Sequence, residues 1–365
     1  MIKKFEISSD NLIVHFKDDH VEIFPNIWLR DHAKDEKNWD KRTNQRKTFT
    51  AGLDLNLRIK NAKILDNGKF LSILWPDLDS PVKYSFEFLY KNKINNSKTR
   101  LSFETWKNHD LSKNLFFDFD DIKRKDGYKN FLRVLHQYGF LVLKNCEKNF
   151  TSVKEIANKI GYVRNSIFGG LWSFESNQNK ADSSYTQDEL RPHTDGTYSN
   201  DAPGLQLLLC TEYSAKGGES ILVDGFKIAE KIKKEDDEMF DLLSKVNVVG
   251  NYIGDGVFLK AERPIFRLNK KNEIIQVSFN NYDRAPFRFK NDLTKKFYEG
   301  IKKFDLIANN KEFQWRYILK PGELLIFNNW RILHGRGSFE GVRKMSGCYI
   351  NKEDFDSSCI INEII

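Results

Sequence analysis

The sequence predicts a mainly β protein with covering helices: a small β-rich N-terminal domain over residues 1–105, then a larger jelly-roll domain over residues 115–365. Three observations carry this reading. Short apolar runs bounded by turn signals recur along the whole chain. Few segments have helical spacing. A His-x-Asp pair, His193 and Asp195, finds its natural partner, His334, far along the chain, as the strands of a barrel would allow.

The elements follow in order. Asn11–Phe16 and Val21–Phe24 flank the turn Lys17–His20 in a hairpin pattern. Leu57–Leu65 and Phe70–Trp75 flank Asp66-Asn67-Gly68, whose Asn-Gly pair favours positive backbone angles. Val82, Tyr84 and Phe86 alternate with Lys83, Ser85 and Glu87, which predicts one buried face. Polar stretches at Lys91–Arg100 and Lys107–Lys113 read as connections. Gly127–Tyr138 carries Phe131, Leu132, Leu135 and Tyr138 on one helical face, and Gly139 ends it before the strand Phe140–Leu143. Ser152 and Glu155 form a capping-box pattern opening a helix to Ile160. Phe168–Pro192 reads as a long loop, Leu205–Cys210 and Ile221–Val223 as strands, and Phe226–Val246 as a helix. Strands are expected at Ile274–Phe279, Gln314–Leu319, Glu323–Phe327 and Met345–Ile350. Leu293, Phe297, Ile301 and Phe304 place one helix among them. There is no internal repeat.

Composition narrows the function. The chain has 365 residues, 40% hydrophobic and 30% charged, with 29 Phe, 13 Tyr and 7 Trp. Its net charge is +8, but the basic residues are scattered among acids, which argues against nucleic acid and suits small anionic substrates. Cys146, Cys210, Cys348 and Cys359 show no Cys-x-x-Cys spacing and read as buried thiols of a reducing compartment. Met1–Asp10 lacks the apolar core of a signal peptide, and no apolar run approaches membrane-spanning length. The expectation is a cytoplasmic protein with no membrane partner.

His193 and Asp195 lie two residues apart, so on an extended segment they point to the same side. With His334 they make two imidazoles and one carboxylate. That set on one face of a metal leaves positions open, which is how non-heme Fe(II) oxygenases are built. A zinc-dependent hydrolase with a metal-bound water could use the same three residues.

Longer stretches carry a resemblance. Trp28-Leu29-Arg30-Asp31-His32, Trp75-Pro76-Asp77, His193-Thr194-Asp195-Gly196-Thr197-Tyr198, Val223-Asp224-Gly225-Phe226, Asn280-Asn281-Tyr282-Asp283-Arg284-Ala285 and Asn329-Trp330-Arg331-Ile332-Leu333-His334-Gly335-Arg336 occur in this order. With them the chain resembles the Fe(II)/2-oxoglutarate dioxygenases of the taurine-dioxygenase superfamily. Within that superfamily it is most similar to the branch of γ-butyrobetaine hydroxylase and trimethyllysine hydroxylase.

The resemblance implies a double-stranded β-helix catalytic domain, Fe(II) as metal, 2-oxoglutarate and O2 as cosubstrates, and a homodimer. His193, Asp195 and His334 match the iron ligands. Arg343 matches the arginine that pairs with the distal carboxylate of 2-oxoglutarate, and Ser220 a Thr/Ser that hydrogen-bonds it. A planar guanidinium suits a carboxylate because it binds both oxygens at once. Trp172, Tyr185 and Tyr349 match aromatics that cage a trimethylammonium group, and Phe168 falls where both hydroxylases carry Tyr. Asp182 aligns with an acid of trimethyllysine hydroxylase, where a carboxylate can meet an α-ammonium that γ-butyrobetaine lacks. The implied substrate is a small trimethylammonium compound: trimethyllysine first, then γ-butyrobetaine, then another quaternary-ammonium acid or phosphonate. One departure is clear. The family's structural zinc ligands near the N-terminus are replaced by Ala33, Asp35, Asn38 and Asp79, so no structural zinc is expected and His32 should be packed or hydrogen-bonded.

Overall fold

A computed structural model describes residues 1–94, 103–111, 114–174, 186–254, 256–290 and 292–365. The chain forms two compact units, Met1–Thr99 and Arg100–Ile365.

The first unit holds two three-stranded antiparallel sheets. One is Ile2–Ile7, Asn11–Phe16 and Val21–Pro25, with Leu12, Val14 and Phe16 turned inward at every second position. The other is Asn61–Leu65, Phe70–Leu74 and Val82–Ser85, and its first turn holds Asp66, Asn67 and Gly68 at positive φ as the Asn-Gly pair predicts. The strand after Val82 is shorter than its alternation suggests. Ser85 accepts a hydrogen bond from the Phe88 amide, so Phe86 opens a helix, Phe86–Lys91, instead.

The residues standing at the family's zinc positions are occupied otherwise. Asn38 donates to the Asp35 carboxylate and accepts from the Thr48 hydroxyl at 2.5 Å. Asp79 is exposed and pairs with Lys37 at 3.3 Å. His32 stacks on Trp28 at 4.4 Å between ring centres, and its Nδ1 donates to the Trp28 carbonyl at 2.7 Å.

The second unit is strand-rich, with helices on its flanks. Its larger sheet runs, in spatial order, Val163–Arg164, Arg343–Ile350, Leu205–Tyr213, Leu324–Asn328, Phe140–Lys144 and Phe116–Asp118, with Leu171–Phe174 also paired to Arg343–Ile350. Every pairing is antiparallel except the last along the row, Phe140–Lys144 with Phe116–Asp118. The smaller sheet runs Leu190–His193, Ile332–Arg336, Ser220–Asp224 and Gln314–Tyr317. Alternation sends its side chains two ways. Leu222, Trp315 and Ile332 share a core with Leu325, Phe327 and Met345 of the larger sheet. Val223 and Leu333 pack with Phe226, Ile228, Phe297 and Phe304 of the covering helices. His334 follows Ile332 by two, so it faces the space between the sheets.

Three local expectations change. Asn149, not Ser152, caps the helix Phe150–Ile160 by accepting from the Thr151 amide at 2.8 Å, while the Ser152 hydroxyl accepts from the Glu147 amide at 2.8 Å. Phe226–Val246 is two helices, Gly225–Glu235 and Asp237–Lys245, because Asp236 breaks the first and caps the second through the Met239 amide. Phe168–Pro192 is no continuous loop, since Leu171–Phe174 and Leu190–His193 join the two sheets. The expected helix near Leu293 is Leu293–Ala308, with Phe297 and Phe304 buried. Among the described residues no helix is long and apolar enough to cross a membrane.

Candidate metal centre and substrate cleft

Strand register assembles the centre. His193 ends its strand directly opposite His334, which in turn pairs with Leu222 on its other side. The two imidazoles lie 4.4 Å apart between ring centres. The chain then turns at Gly196, whose φ of +72° is costly for any residue with a Cβ. Asp195 faces the pair. Its Oδ1 stands 3.4 Å from His193 Nε2 and 3.6 Å from His334 Nε2. Among the described residues these three are the sole group of three or more His, Cys, Asp or Glu with donor atoms close enough for one ion, all within 4.8 Å of one another.

The ligand tripeptide is held on several sides. The Thr194 amide donates to the Phe279 carbonyl at 2.8 Å, and the Phe279 amide returns a bond to the Thr194 hydroxyl at 2.9 Å. Asn329 accepts from the Asp195 amide at 2.8 Å and donates to the Asp195 carbonyl at 3.0 Å. Tyr349 donates its hydroxyl to Asp195 Oδ2 at 2.8 Å. His193 Nδ1 donates to the Arg191 carbonyl at 2.8 Å, which leaves the Nε2 lone pair for a ligand. His334 Nδ1 is buried with no partner, so that ring is set by packing between Phe327 and His193.

Charge fits a cation. Burial pushes the Asp195 carboxyl up, but the neighbouring imidazoles and the Tyr349 hydroxyl outweigh it and hold it below the usual carboxylate range. Burial pushes His334 down to about 4, so it is neutral at pH 7. Burial pushes His193 down, but the bond to and charge of Asp195, with the Arg191 carbonyl, together outweigh it and hold His193 above its ordinary value. Two imidazole nitrogens and one carboxylate oxygen converging on one point suit Fe(II).

The centre opens into a cleft of about 960 Å³ including its mouth. Ser220 and Arg343 line it, as do the apolar Leu190, Leu208, Leu222, Leu325 and Met345. Gly218, at φ +79°, lets the chain before Ser220 lie against Arg343, where an added Cβ would meet Arg343 Cδ at 3.2 Å. The Arg343 guanidinium makes no hydrogen bond or ion pair among the described residues and rests 6.0 Å from the Phe339 ring. A half-buried guanidinium with no acid beside it has the chemistry to receive an anion.

Phe168 and Tyr349 also line the cleft, but Trp172 does not. Trp172 is buried behind it, its ring 5.4 Å from Tyr349 and 4.5 Å from Phe174. Phe174 takes the lining position, edge-on to Phe168 at 5.6 Å. Reading 171–174 as strand would have found it, since alternation puts Trp172 and Phe174 on one face. Tyr282, Asp283, Asn280 and Arg336 line the cleft as well. Arg336 Nη2 donates to the carbonyls of Thr186 and Asp188 at 2.7 and 2.8 Å, tying that segment to the His334 strand. Asp182 and Tyr185 lie outside the described residues.

Comparison with known proteins decides the family. Residues 107–349 match the profile of the taurine catabolism dioxygenase TauD, TfdA family, and residues 4–90 match that of the γ-butyrobetaine hydroxylase-like N-terminal region. The chain belongs to the TauD/TfdA dioxygenase family. This is a family of Fe(II)- and 2-oxoglutarate-dependent dioxygenases, and the protein is an enzyme of that kind. Among TauD/TfdA relatives, mitochondrial trimethyllysine dioxygenase of Rattus norvegicus is 30% identical over 373 residues, covering 95% of this chain and 86% of the rat protein. γ-Butyrobetaine dioxygenase of Homo sapiens is 27% identical over 350 residues, covering 90% and 87%. A taurine dioxygenase structure from Burkholderia xenovorans shares the fold at a TM-score of 0.51 and 13% identity, covering 66% of this chain and 89% of its own.

Proposed function

We propose that this TauD/TfdA enzyme hydroxylates a small trimethylammonium amino acid, with N6,N6,N6-trimethyllysine as the first choice and γ-butyrobetaine as the alternative. The observation that carries the proposal is one cleft holding three features. The His193–Asp195–His334 set lies in its wall, Arg343 has no acid beside it among the described residues, and the rings of Phe168, Phe174 and Tyr349 face the same space. A quaternary ammonium has no hydrogen to donate, so ring faces are its natural receptor. The preference for trimethyllysine is supported by the likeness to the rat enzyme over nearly the whole chain. We read the two packed sheets as a double-stranded β-helix, and the unit Met1–Thr99 as a separate domain.

In this reading His193, Asp195 and His334 hold Fe(II). Ser220 and Arg343 hold the distal carboxylate of 2-oxoglutarate. When bound, iron supplies the O2 activation that couples decarboxylation of 2-oxoglutarate, to succinate and CO2, with hydroxylation of a substrate C–H. The protein contributes position. Phe168, Phe174 and Tyr349 fix the cationic end, and Leu208, Leu222, Leu325 and Met345 keep bulk water from the reacting carbon. No acid–base residue is assigned, because C–H cleavage needs none.

The test is a panel of trimethyllysine, γ-butyrobetaine, a quaternary-ammonium phosphonate and related acids, incubated with Fe(II), 2-oxoglutarate and air. Succinate and a product sixteen mass units heavier should form together, fastest with trimethyllysine; the increment is about one oxygen atom. If no quaternary amine stimulates succinate formation, the proposal fails. Product formation that persists without O2 would favour a hydrolase instead.

A further inference from the structure

Tyr349 reaches the centre in a way its aromatic ring alone does not require. It is 4% exposed, packs against Trp172, and lines the cleft. Its hydroxyl donates to Asp195 Oδ2 at 2.8 Å, while Asp195 Oδ1 faces both imidazoles at 3.4 and 3.6 Å. The Asp195 backbone is already clamped in both directions by Asn329. What remains free is rotation of the carboxylate itself, and the Tyr349 hydroxyl fixes it with one oxygen toward the imidazoles and one away.

That division matters for an oxygenase. A carboxylate can bind a metal through one oxygen or two. Two imidazoles and one carboxylate oxygen leave positions open for a chelating 2-oxo acid and O2, and a second carboxylate oxygen would take one of them. We propose that Tyr349 is a positioning residue: its hydroxyl withholds Asp195 Oδ2 from the metal and so keeps room for the 2-oxo acid. The ring and the hydroxyl then serve different partners, the substrate cation and the metal ligand. This rests on the proposed binding of Fe(II) and 2-oxoglutarate at this centre. It assigns the hydroxyl a task beyond that reading.

The experiment uses the full chain under anoxia, loaded with Fe(II) and titrated with 2-oxoglutarate. Chelation of a 2-oxo acid by Fe(II) gives a visible charge-transfer absorption, read without turnover. Wild type should show the band. Tyr349→Phe should need roughly tenfold more 2-oxoglutarate to develop it, as outer partners of metal ligands commonly require, and the band should shift. Under air its KM for the preferred quaternary amine should change less than twofold, since the ring is kept. Replacement of Tyr349 by 3-fluorotyrosine, which strengthens the donor at nearly constant size, should shift the band the opposite way. It also stands as the second probe should the Phe variant melt early. If wild type shows no band, the iron and 2-oxoglutarate reading falls. If wild type shows it and both variants match it in position and 2-oxoglutarate affinity, the hydroxyl is mere packing and the inference is overturned.

Discussion

Two arginines on either side of His334 are treated in opposite ways. Arg331 is 2% exposed and fully engaged: Nε and Nη2 donate to the two oxygens of Asp224 at 3.1 and 2.7 Å, and Nη1 donates to the Gln137 carbonyl at 2.8 Å. Asp224, wholly buried, also accepts from the amides of Phe226 and Trp106 at 3.0 and 3.2 Å. Arg343 lines the cleft with no such partner. The difference separates a charge that the fold has neutralised from one with no acid beside it among the described residues. Burying a charge is costly unless it is paired, which is why we propose that Arg343 meets the carboxylate of 2-oxoglutarate.

Breaking the first of these should cost the most. Arg331→Met leaves Asp224 buried without its cation, and removal of one member of such a pair destabilises by about 3–5 kcal/mol. Urea unfolding should show the midpoint falling sharply, a large part of the stability of an ordinary domain. Arg343→Met should do the reverse. It removes a half-buried charge with no acid beside it among the described residues, so the folded protein should keep or slightly gain stability. Its affinity for 2-oxoglutarate should fall about a hundredfold, or about 3 kcal/mol, as expected for truncating one member of a ligand–protein charge pair. Metal binding, read by Mn(II) titration, should be unchanged. If Arg343→Met unfolded the chain as readily as Arg331→Met, the contrast between the two would be wrong.

The same contrast holds at the imidazoles. His334 sits at about 4, so it stays neutral across ordinary pH, while His193 is held above its usual value by Asp195. A metal needs the neutral form of both. As pH falls through the raised value of His193, a proton competes with the metal at that ring. Mn(II) affinity should then drop by up to about tenfold per pH unit, the slope for one proton. Two titrating rings would give a steeper slope in the same range and would contradict the asymmetry.

These features were not equally legible in the sequence. His193 and Asp195 could be read because residue type and strand periodicity carry their chemistry locally, whereas His334 was a distant candidate and Arg343 came from the resemblance to the family. Phe131, Leu132 and Leu135 on one helix face were read from local periodicity too. The clamp of Asn329 on Asp195 spans 134 positions, and no local pattern encodes it. Arg331–Asp224 is equally remote, although both residues stand in stretches that resemble the family. Phe174 was hidden by a polar surrounding that reads as loop, although the pairing of Trp172 with Gly347 and of Phe174 with Met345 makes it strand. The hairpin Asn247–Gly254 with Val257–Pro264 was missed because Ile253 and Phe258 lie exposed, so its pattern shows no clean buried face.

A third arginine lies between the two extremes and gives the smallest effect. Arg30 of the N-terminal unit is 4% exposed and donates to both oxygens of Asp77, whose own side chain is 42% exposed. The bond from Arg30 lowers the Asp77 carboxyl below its ordinary value, against burial. Water around Asp77 screens the pair, so Asp77→Asn should destabilise by about 1 kcal/mol, far less than breaking Arg331–Asp224. Its sign with pH is fixed. A carboxyl lowered by folding contributes stability that is complete above its unfolded value near ~4 and is lost as pH falls through the folded value. The gap between wild type and Asp77→Asn in thermal melts should therefore be open at pH 7 and close progressively below that value. A gap that stayed constant into acid would mean that Asp77 acts through its shape and hydrogen bonds rather than its charge, and would break the contrast with Arg331–Asp224.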